Sequence, residues 1–180
     1  MQIIIQPIQT EIANDILNLL SNFISQEFSG SNITIGSMPK FNIHNFIDKS
    51  RNQIRSPDLL NWILTKIKPT KKKKILLICD MDAYSNDLNF VFGEAYIGGS
   101  IAAVYLPRLR EFYGLKSDEL LFHERIVKEA IHELGHSFGL SHCENKRCVM
   151  HFSNSLYDTD FKGKNLCSIC RNNLRYRSQI

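Results

Sequence analysis

The chain has 180 residues, of which 43% are apolar and 22% are charged, with only 9 Gly and 5 Pro. These values fit one ordinary globular domain and argue against collagen-like, disordered and disulfide-scaffold proteins. No apolar run approaches the roughly 20 residues of a membrane-spanning helix, and the first residues lack the basic start of a signal peptide, so we expect a cytoplasmic chain without a membrane partner.

The net charge of +4 lies at one end of the chain. Residues 143–180 contain 7 basic and 3 acidic side chains, whereas residues 1–142 contain 15 of each. The same tail holds four of the five cysteines. A basic, cysteine-rich segment is compatible with a zinc module that binds nucleic acid, and this alternative stays open at this point.

Strands and helices alternate through the first half of the chain. The hydrophobic patterns predict, in order, a strand at 2–8, a helix from residue 12 with Thr10 as its cap, a strand at 32–37, a helix that begins at Ser56-Pro57, a buried strand at 75–79, and extended segments at 89–92 and 100–106. This order favours an α/β (α+β) fold with helices packed on a sheet.

The four consecutive lysines at 71–74 are interpreted as a solvated turn before the buried strand at 75–79, with a nucleic-acid contact as the alternative. Farther along, Ser117, Asp118 and Glu119 supply a cap and first-turn acids for a long helix. Its apolar residues recur at helical spacing up to Phe138, which predicts one face packed on the core.

This helix carries the pattern H-E-x-x-H-x-x-G-x-x-H, in which His132, Glu133, His136, Gly139 and His142 are the fixed residues. Side chains four residues apart share a helix face, so the first two histidines can bind one metal. The glycine supplies the turn with positive φ that returns the third histidine to the same point.

Three histidine ligands leave one position of a tetrahedral zinc open to water, as in catalytic rather than structural sites. Glu133, beside the first histidine, is placed to accept a proton from that water. The pattern therefore predicts hydrolysis of peptide bonds, and metal-dependent hydrolysis of another substrate is an alternative.

Cysteines in the tail form two pairs, Cys143/Cys148 and Cys167/Cys170. Such pairs suit a closed zinc site with four thiolates. Two disulfides are one alternative, and a thiolate that competes at the catalytic zinc is another. Since neighbouring side chains in an extended segment point in opposite directions, His142 and Cys143 can bind different metals.

The long histidine pattern, followed directly by Cys143-x4-Cys148-x-Met150 and later by Cys167-x2-Cys170, resembles the archaemetzincin family of metzincin zinc peptidases. The resemblance extends to the segments at 51–53, 89–95 and 106–110 and thus covers most of the chain.

This resemblance implies a metzincin-like mixed sheet, with His132, His136 and His142 on a catalytic zinc, Glu133 as the general base and the four tail cysteines on a second, structural zinc. Met150 is the implied Met-turn residue below the catalytic metal. One domain is expected, made of a part at 1–139 and a small zinc-stabilised C-terminal part at 140–180. A substrate peptide is expected to pair with the strand at 99–106, and the chain to act as a monomer.

Two points depart from this pattern or stay open. Phe152 stands where some metzincins have a tyrosine that supports the oxyanion, so this support is expected from zinc alone. Endopeptidase and aminopeptidase action are both possible, and Glu94 is the candidate for binding a free amine. The alternative to an enzyme is a zinc protein that only binds peptides or nucleic acid.

Overall fold

The computed structural model describes residues 1–8, 12–37, 41–67, 70, 72–86, 88–111 and 118–178, with the side chains of 175–178 excepted. Thr10 and Ser117, two of the predicted caps, lie outside these ranges. The elements are, in order, β1 (Gln2–Ile8), α1 (Asn14–Glu27), β2 (Asn32–Ile35), β3 (Ile47–Asp48), β4 (Gln53–Arg55), α2 (Ser56–Lys66), β5 (Lys73–Cys79), β6 (Ala83–Tyr84), β7 (Gly93–Ala95), β8 (Ile101–Tyr105), α3 (Leu106–Leu109), α4 (Glu119–Ser137), α5 (Leu156–Phe161) and α6 (Ser168–Ser178).

The main sheet has five strands in the order β2-β1-β5-β8-β7. The first four are parallel to their neighbours, and β7 alone runs antiparallel, to β8. A small second sheet is formed by β3, β4 and β6. The predicted mixed sheet with helices packed behind it is confirmed.

Helices cover both faces of the main sheet. Alternate side chains of β1 and β8, such as Ile3 and Val104, pack with α1 and α4 in one core cluster. The intervening side chains, such as Ile101 and Tyr105, pack with α2 in a second cluster. The first cluster also takes in residues of the C-terminal tail, including Met150, so the tail is packed onto the same core as α4.

Two of the predicted helix starts agree with the structure. Ser56 and Pro57 begin α2, with the proline in the first turn. The carboxylate of Asp118 caps α4 by accepting hydrogen bonds from the backbone N–H groups of Leu120 and Leu121, at 3.0 and 3.3 Å. Within the described ranges, no helix is both long and apolar enough to cross a membrane.

The prediction for the edge of the sheet is wrong in two respects. Residues 89–92 form no strand, and the strand begins one residue later, at Gly93. β8, within the predicted strand 99–106, lies between β5 and β7 and is bonded to both, so it has no free edge for a substrate. All five residues of β8 are buried, which the sequence shows only as a short apolar run.

Candidate metal centre and cleft

The C-terminal end of α4 is anchored by a buried lysine. Lys74 is 5% exposed, and its Nζ donates hydrogen bonds to the carbonyl oxygens of Ser137 at 2.8 Å and Gly99 at 2.7 Å. A positive charge at this position also complements the helix dipole. The backbone N–H of Gly98 donates to the carbonyl oxygen of His136 at 2.9 Å. The run of lysines therefore ends in the interior and fixes α4 to the β7–β8 hairpin.

Three histidines meet at this end of the helix. His132 and His136 lie on consecutive turns of α4, and His142 follows the turn after it. The ring centroids are 4.6, 4.8 and 5.3 Å apart, and one nitrogen of each ring lies within 4.8 Å of the others. The first two rings are buried and the third is exposed, so the group is open to solvent on one side.

Hydrogen bonds to the backbone fix the tautomers of the two helical rings. Nδ1 of His132 lies 2.8 Å from the carbonyl oxygen of Val149, and Nδ1 of His136 lies 2.8 Å from that of Leu140. Because a carbonyl only accepts, both Nδ1 atoms carry a proton and both Nε2 atoms are bare acceptors. These Nε2 atoms face each other at 3.1 Å, which is repulsive unless a cation lies between them. The spacing suits two ligands of one tetrahedral zinc with bonds of about 2.0–2.1 Å.

The surroundings shift the pKa values of His132 and Glu133 in opposite directions. Burial lowers the pKa of His132 well below its ordinary value, and the ammonium of Lys162 lowers it further. Neutral imidazole is the form that binds metals. Burial raises the pKa of the Glu133 carboxyl well above its ordinary value, and the charge of Glu129 adds to this effect. A carboxylate with a raised pKa is a stronger base.

The turn after α4 has the predicted conformation. Gly139 has a φ of +92°, and its backbone N–H donates to the carbonyl oxygen of His136 at 2.8 Å. The backbone N–H of Leu140 donates to the carbonyl oxygen of Gly135 at 2.9 Å. The chain thus turns at the end of α4 and brings His142 close to the first two rings.

Met150 packs against α4, the helix that carries His132 and His136. It is fully buried, and a Cβ at Gly135 would lie 2.3 Å from its Sδ. The backbone N–H of Cys143 donates to the carbonyl oxygen of Met150 at 2.9 Å, which joins this residue to the segment that carries His142. Glycine at position 135 is therefore required for Met150 to lie between the levels of His132 and His136, a role that the sequence prediction missed.

A cleft of about 210 Å³ lies in front of the histidines. One wall comes from residues 88–95, including β7, and the opposite wall comes from residues 152–154 of the tail. Glu133 lines the cleft together with all three histidines. A Cβ at Gly93 would lie 2.5 Å from Cγ of Glu133, so β7 is in direct contact with this carboxylate side chain.

Four cysteines form a second cluster in the tail. Sγ of Cys143 lies 3.8 Å from that of Cys167, and the same distance separates Cys148 and Cys170. All four sulfur atoms lie within 4.8 Å of one another. The 3.8 Å separations are much longer than a disulfide bond of about 2.05 Å, and they suit sulfur ligands about 2.3 Å from one tetrahedral zinc.

A buried ion pair that the sequence prediction missed joins the tail to α4. Nζ of Lys162 lies 2.9 Å from a carboxylate oxygen of Glu129, and both side chains are almost fully buried. Beside it, the guanidinium of Arg125 forms two hydrogen bonds of 2.7 Å to the carboxylate of Asp160. The partners are more than 30 residues apart, so no periodic pattern in the sequence links them. The only sequence clue was that Arg125 and Glu129 are charged residues in the apolar part of α4.

A network of hydrogen bonds holds the cleft wall that contains Phe90. It involves the three segments that resemble the archaemetzincin family, at 51–53, 89–95 and 106–110. Arg108 forms hydrogen bonds of 2.8 to 3.1 Å with the carboxylate of Asp82, which also accepts one from Gln53 at 2.9 Å. Gln53 and Arg51 both donate to the carbonyl oxygen of Asn89, at 3.1 and 3.0 Å. These side chains fix the backbone that leads into β7.

The tail offers less free positive charge than its composition indicates. Arg171 is paired with the buried carboxylate of Glu27 at 2.9 Å. The side chains of Arg175 and Arg177 lie outside the described residues.

Comparison with known proteins decides the family. The model of peptidase family M54 matches residues 42–176. The archaemetzincin of Pyrococcus furiosus is 40% identical over 179 residues, which cover 97% of this chain and 93% of that protein. The chain belongs to the archaemetzincin family.

Other archaemetzincins agree with this assignment. That of Methanocaldococcus jannaschii is 41% identical over 182 residues, covering 98% of this chain and 94% of that protein. The crystal structure of archaemetzincin from Methanopyrus kandleri matches with a TM-score of 0.84 and 32% identity, over 100% of this chain and 96% of that one. The predicted resemblance is confirmed, and the chain is a zinc metallopeptidase.

Proposed function

We propose that the chain hydrolyses peptide bonds in the cleft beside β7, with His132, His136 and His142 as ligands of a catalytic zinc and Glu133 as the general base. The observation that carries this proposal is that Glu133 lines the same cleft as the three histidines. Its carboxylate is not one of the clustered metal-ligating atoms, so it is available for proton transfer.

His132, His136 and His142 would hold the zinc, which would supply Lewis-acid polarisation of the scissile carbonyl and lower the pKa of water to about 7. The carboxylate of Glu133 accepts a proton from the attacking water and passes it to the leaving amine. Burial raises the pKa of this carboxyl, as does the charge of Glu129, whereas the ammonium of Lys162 lowers it and favours the carboxylate form that accepts the proton. Because Glu133 packs against Gly93, its position relative to a peptide on β7 is fixed by the sheet.

The substrate in this proposal is an extended peptide that adds to the open edge of β7. The backbone N–H of Tyr105 donates to the carbonyl oxygen of Phe92 at 2.8 Å. Hydrogen-bonded and non-bonded pairs alternate along an antiparallel ladder, so the backbone groups of Gly93 and Ala95 point away from β8. Two residues thus offer backbone donors and acceptors on the cleft side.

A second zinc, held by the thiolates of Cys143, Cys148, Cys167 and Cys170, completes the proposal. The separations of the sulfur atoms support this site. The cysteines and the histidines also form two separate groups, so each group can bind its own metal. This metal would organise residues 140–180 as a small part of one domain, next to the part at 1–139. Cytoplasmic location is proposed with it, since thiols stay reduced there, and a monomer, since one chain supplies every residue of the site.

The test compares wild type with Glu133→Gln, and uses Glu119→Gln as the matched control. Glu119 lies at the exposed start of α4, about 21 Å from Glu133 at a rise of 1.5 Å per residue. Peptide-library cleavage is read by mass spectrometry, and bound zinc is counted by native mass spectrometry. We expect two zincs in all three proteins and hydrolysis lost only in Glu133→Gln. Hydrolysis that persists in that variant would refute the general-base role.

A further inference from the structure

Two buried polar atoms have no hydrogen-bond partner in the part of the chain that the structure describes, and both belong to residues that line the cleft. They are Oε2 of Glu94 and Oγ of Ser153. Since buried polar atoms are nearly always paired, these two are the places in the cleft where a ligand or an ordered water can add a hydrogen bond. Glu94 is the more informative, because an ionised carboxylate only accepts hydrogen bonds and carries a charge.

Glu94 differs from the other two carboxylates of the cleft. Glu129 is neutralised by Lys162 at 2.9 Å, and Glu133 has its role beside the histidines. Glu94 belongs to no group of clustered metal-ligating atoms within the described residues. Its Oε1 accepts a 2.7 Å hydrogen bond from the hydroxyl of Ser85, which orients the carboxylate but leaves its charge uncompensated.

No lysine or arginine among the described residues lines the cleft. A carboxylate with a buried oxygen is costly unless a positive charge pairs with it. The described residues of the cleft therefore leave a place beside Glu94 for a cationic group of the substrate.

The position of Glu94 on β7 determines which part of a substrate it meets. The Cβ direction at Gly93 points to Glu133, and successive residues of a strand face opposite ways, so Glu94 projects from the other face of β7. A substrate residue directly opposite Glu94 would project its side chain to the same face as this carboxylate, within the reach of a cross-strand ion pair. Glu133 would lie at the other face of this strand.

We infer that Glu94 is a specificity-determining residue that binds a cationic nitrogen group of the substrate peptide. The cation is either the free terminal amine or the ammonium or guanidinium of a lysine or arginine side chain. The inference rests on the proposed function, since the peptide that carries the cation is the one cleaved beside Glu133.

The test uses extended peptides in matched sets, in which lysine or norleucine occupies each position around the scissile bond and the N-terminus is free or acetylated. Wild type, Glu94→Gln and the control Glu119→Gln are compared by kcat and KM. Wild type and the control should prefer one cationic form over its neutral counterpart by about 10- to 100-fold in kcat/KM, the range of a hydrogen bond to a charged group. Glu94→Gln should lose that preference while it cleaves the neutral peptides normally.

The arms of this experiment separate the two sources of the cation. A preference for lysine at one position of acetylated peptides assigns the side chain, and a preference that acetylation abolishes assigns the terminal amine. No charge preference in wild type, or an undiminished one in Glu94→Gln, would overturn the inference. Circular dichroism and zinc content verify that the variant is folded.

If no peptide is cleaved, that result counts against the proposed function alone. The inference about Glu94 can then still be tested by measuring peptide binding. Dissociation constants of the same peptides are measured by calorimetry for Glu133→Ala and for Glu133→Ala combined with Glu94→Gln. The cationic peptide should bind about 10- to 100-fold more weakly to the double variant, and the neutral peptide equally to both. Equal binding of the cationic peptide would overturn the inference.

Discussion

Replacing Gly93 with alanine would place a methyl group 2.5 Å from Cγ of Glu133 and 2.7 Å from the carbonyl oxygen of Ala103. Carbon atoms in contact are separated by about 3.5–4.0 Å, so the Glu133 side chain has to retreat by about 1 Å. The strand cannot give way toward β8, because the backbone of Ala103 blocks it. A displacement of about 1 Å in a catalytic group costs on the order of 100-fold in rate.

The matched control is Gly36→Ala, because a Cβ there lies 2.5 Å from Oε1 of Gln6, at the opposite edge of the sheet. Both variants should lose about 1–3 kcal/mol of unfolding free energy from overpacking, measured by urea unfolding. Only Gly93→Ala should lose kcat/KM by about 100-fold, with its zinc content unchanged. Wild-type kcat/KM in Gly93→Ala, or a loss of kcat/KM accompanied by loss of zinc, would refute this reasoning.

Three further outcomes are expected. Cys148→Ser should lower the zinc content from two to one per chain in native mass spectrometry, and two zincs in this variant would contradict the four-thiolate site. Lys162→Met leaves Glu129 buried without its partner and should cost about 3–5 kcal/mol in urea unfolding, most of which Glu129→Gln in the same chain should restore. Burial raises the pKa of Cys79 to about 12, so alkylation at pH 8 should spare it in the folded chain and modify it in urea; labelling of Cys79 in the folded chain would argue against its burial.

The histidine and cysteine groups, which depend on local geometry, were predicted best from the sequence. Spacing by four places His132 and His136 on one helix face, and Gly139 has the positive φ that the pattern requires. The four cysteines meet as their paired spacing indicated. One helix and one turn set the relation between the histidines, and each cysteine pair lies within a short segment, so short patterns can encode them.

Strand pairing and long-range contacts could not be predicted in this way, because they depend on the order of the strands and on the tertiary structure. The apolar run at 101–105 has the composition of a buried strand, but nothing local shows that β7 pairs beyond it. The ion pair of Glu129 and Lys162 joins residues 33 positions apart, and no local pattern in the sequence links them. Only the three-dimensional arrangement shows that these charges lie in the interior, whereas Glu94, the candidate for binding a free amine, lines the cleft as that prediction requires.

The anchor formed by Lys74 has a consequence for how the cleft opens. Because its ammonium bonds to both Ser137 and Gly99, the end of α4 and the β7–β8 hairpin form one rigid unit that also includes β5. One wall of the cleft is thus fixed to the central sheet. The other wall contains residues 152–154, which lie in the chain between the cysteine pair at 143 and 148 and the pair at 167 and 170. We therefore expect the width of the cleft to depend on how the four-cysteine cluster holds this segment.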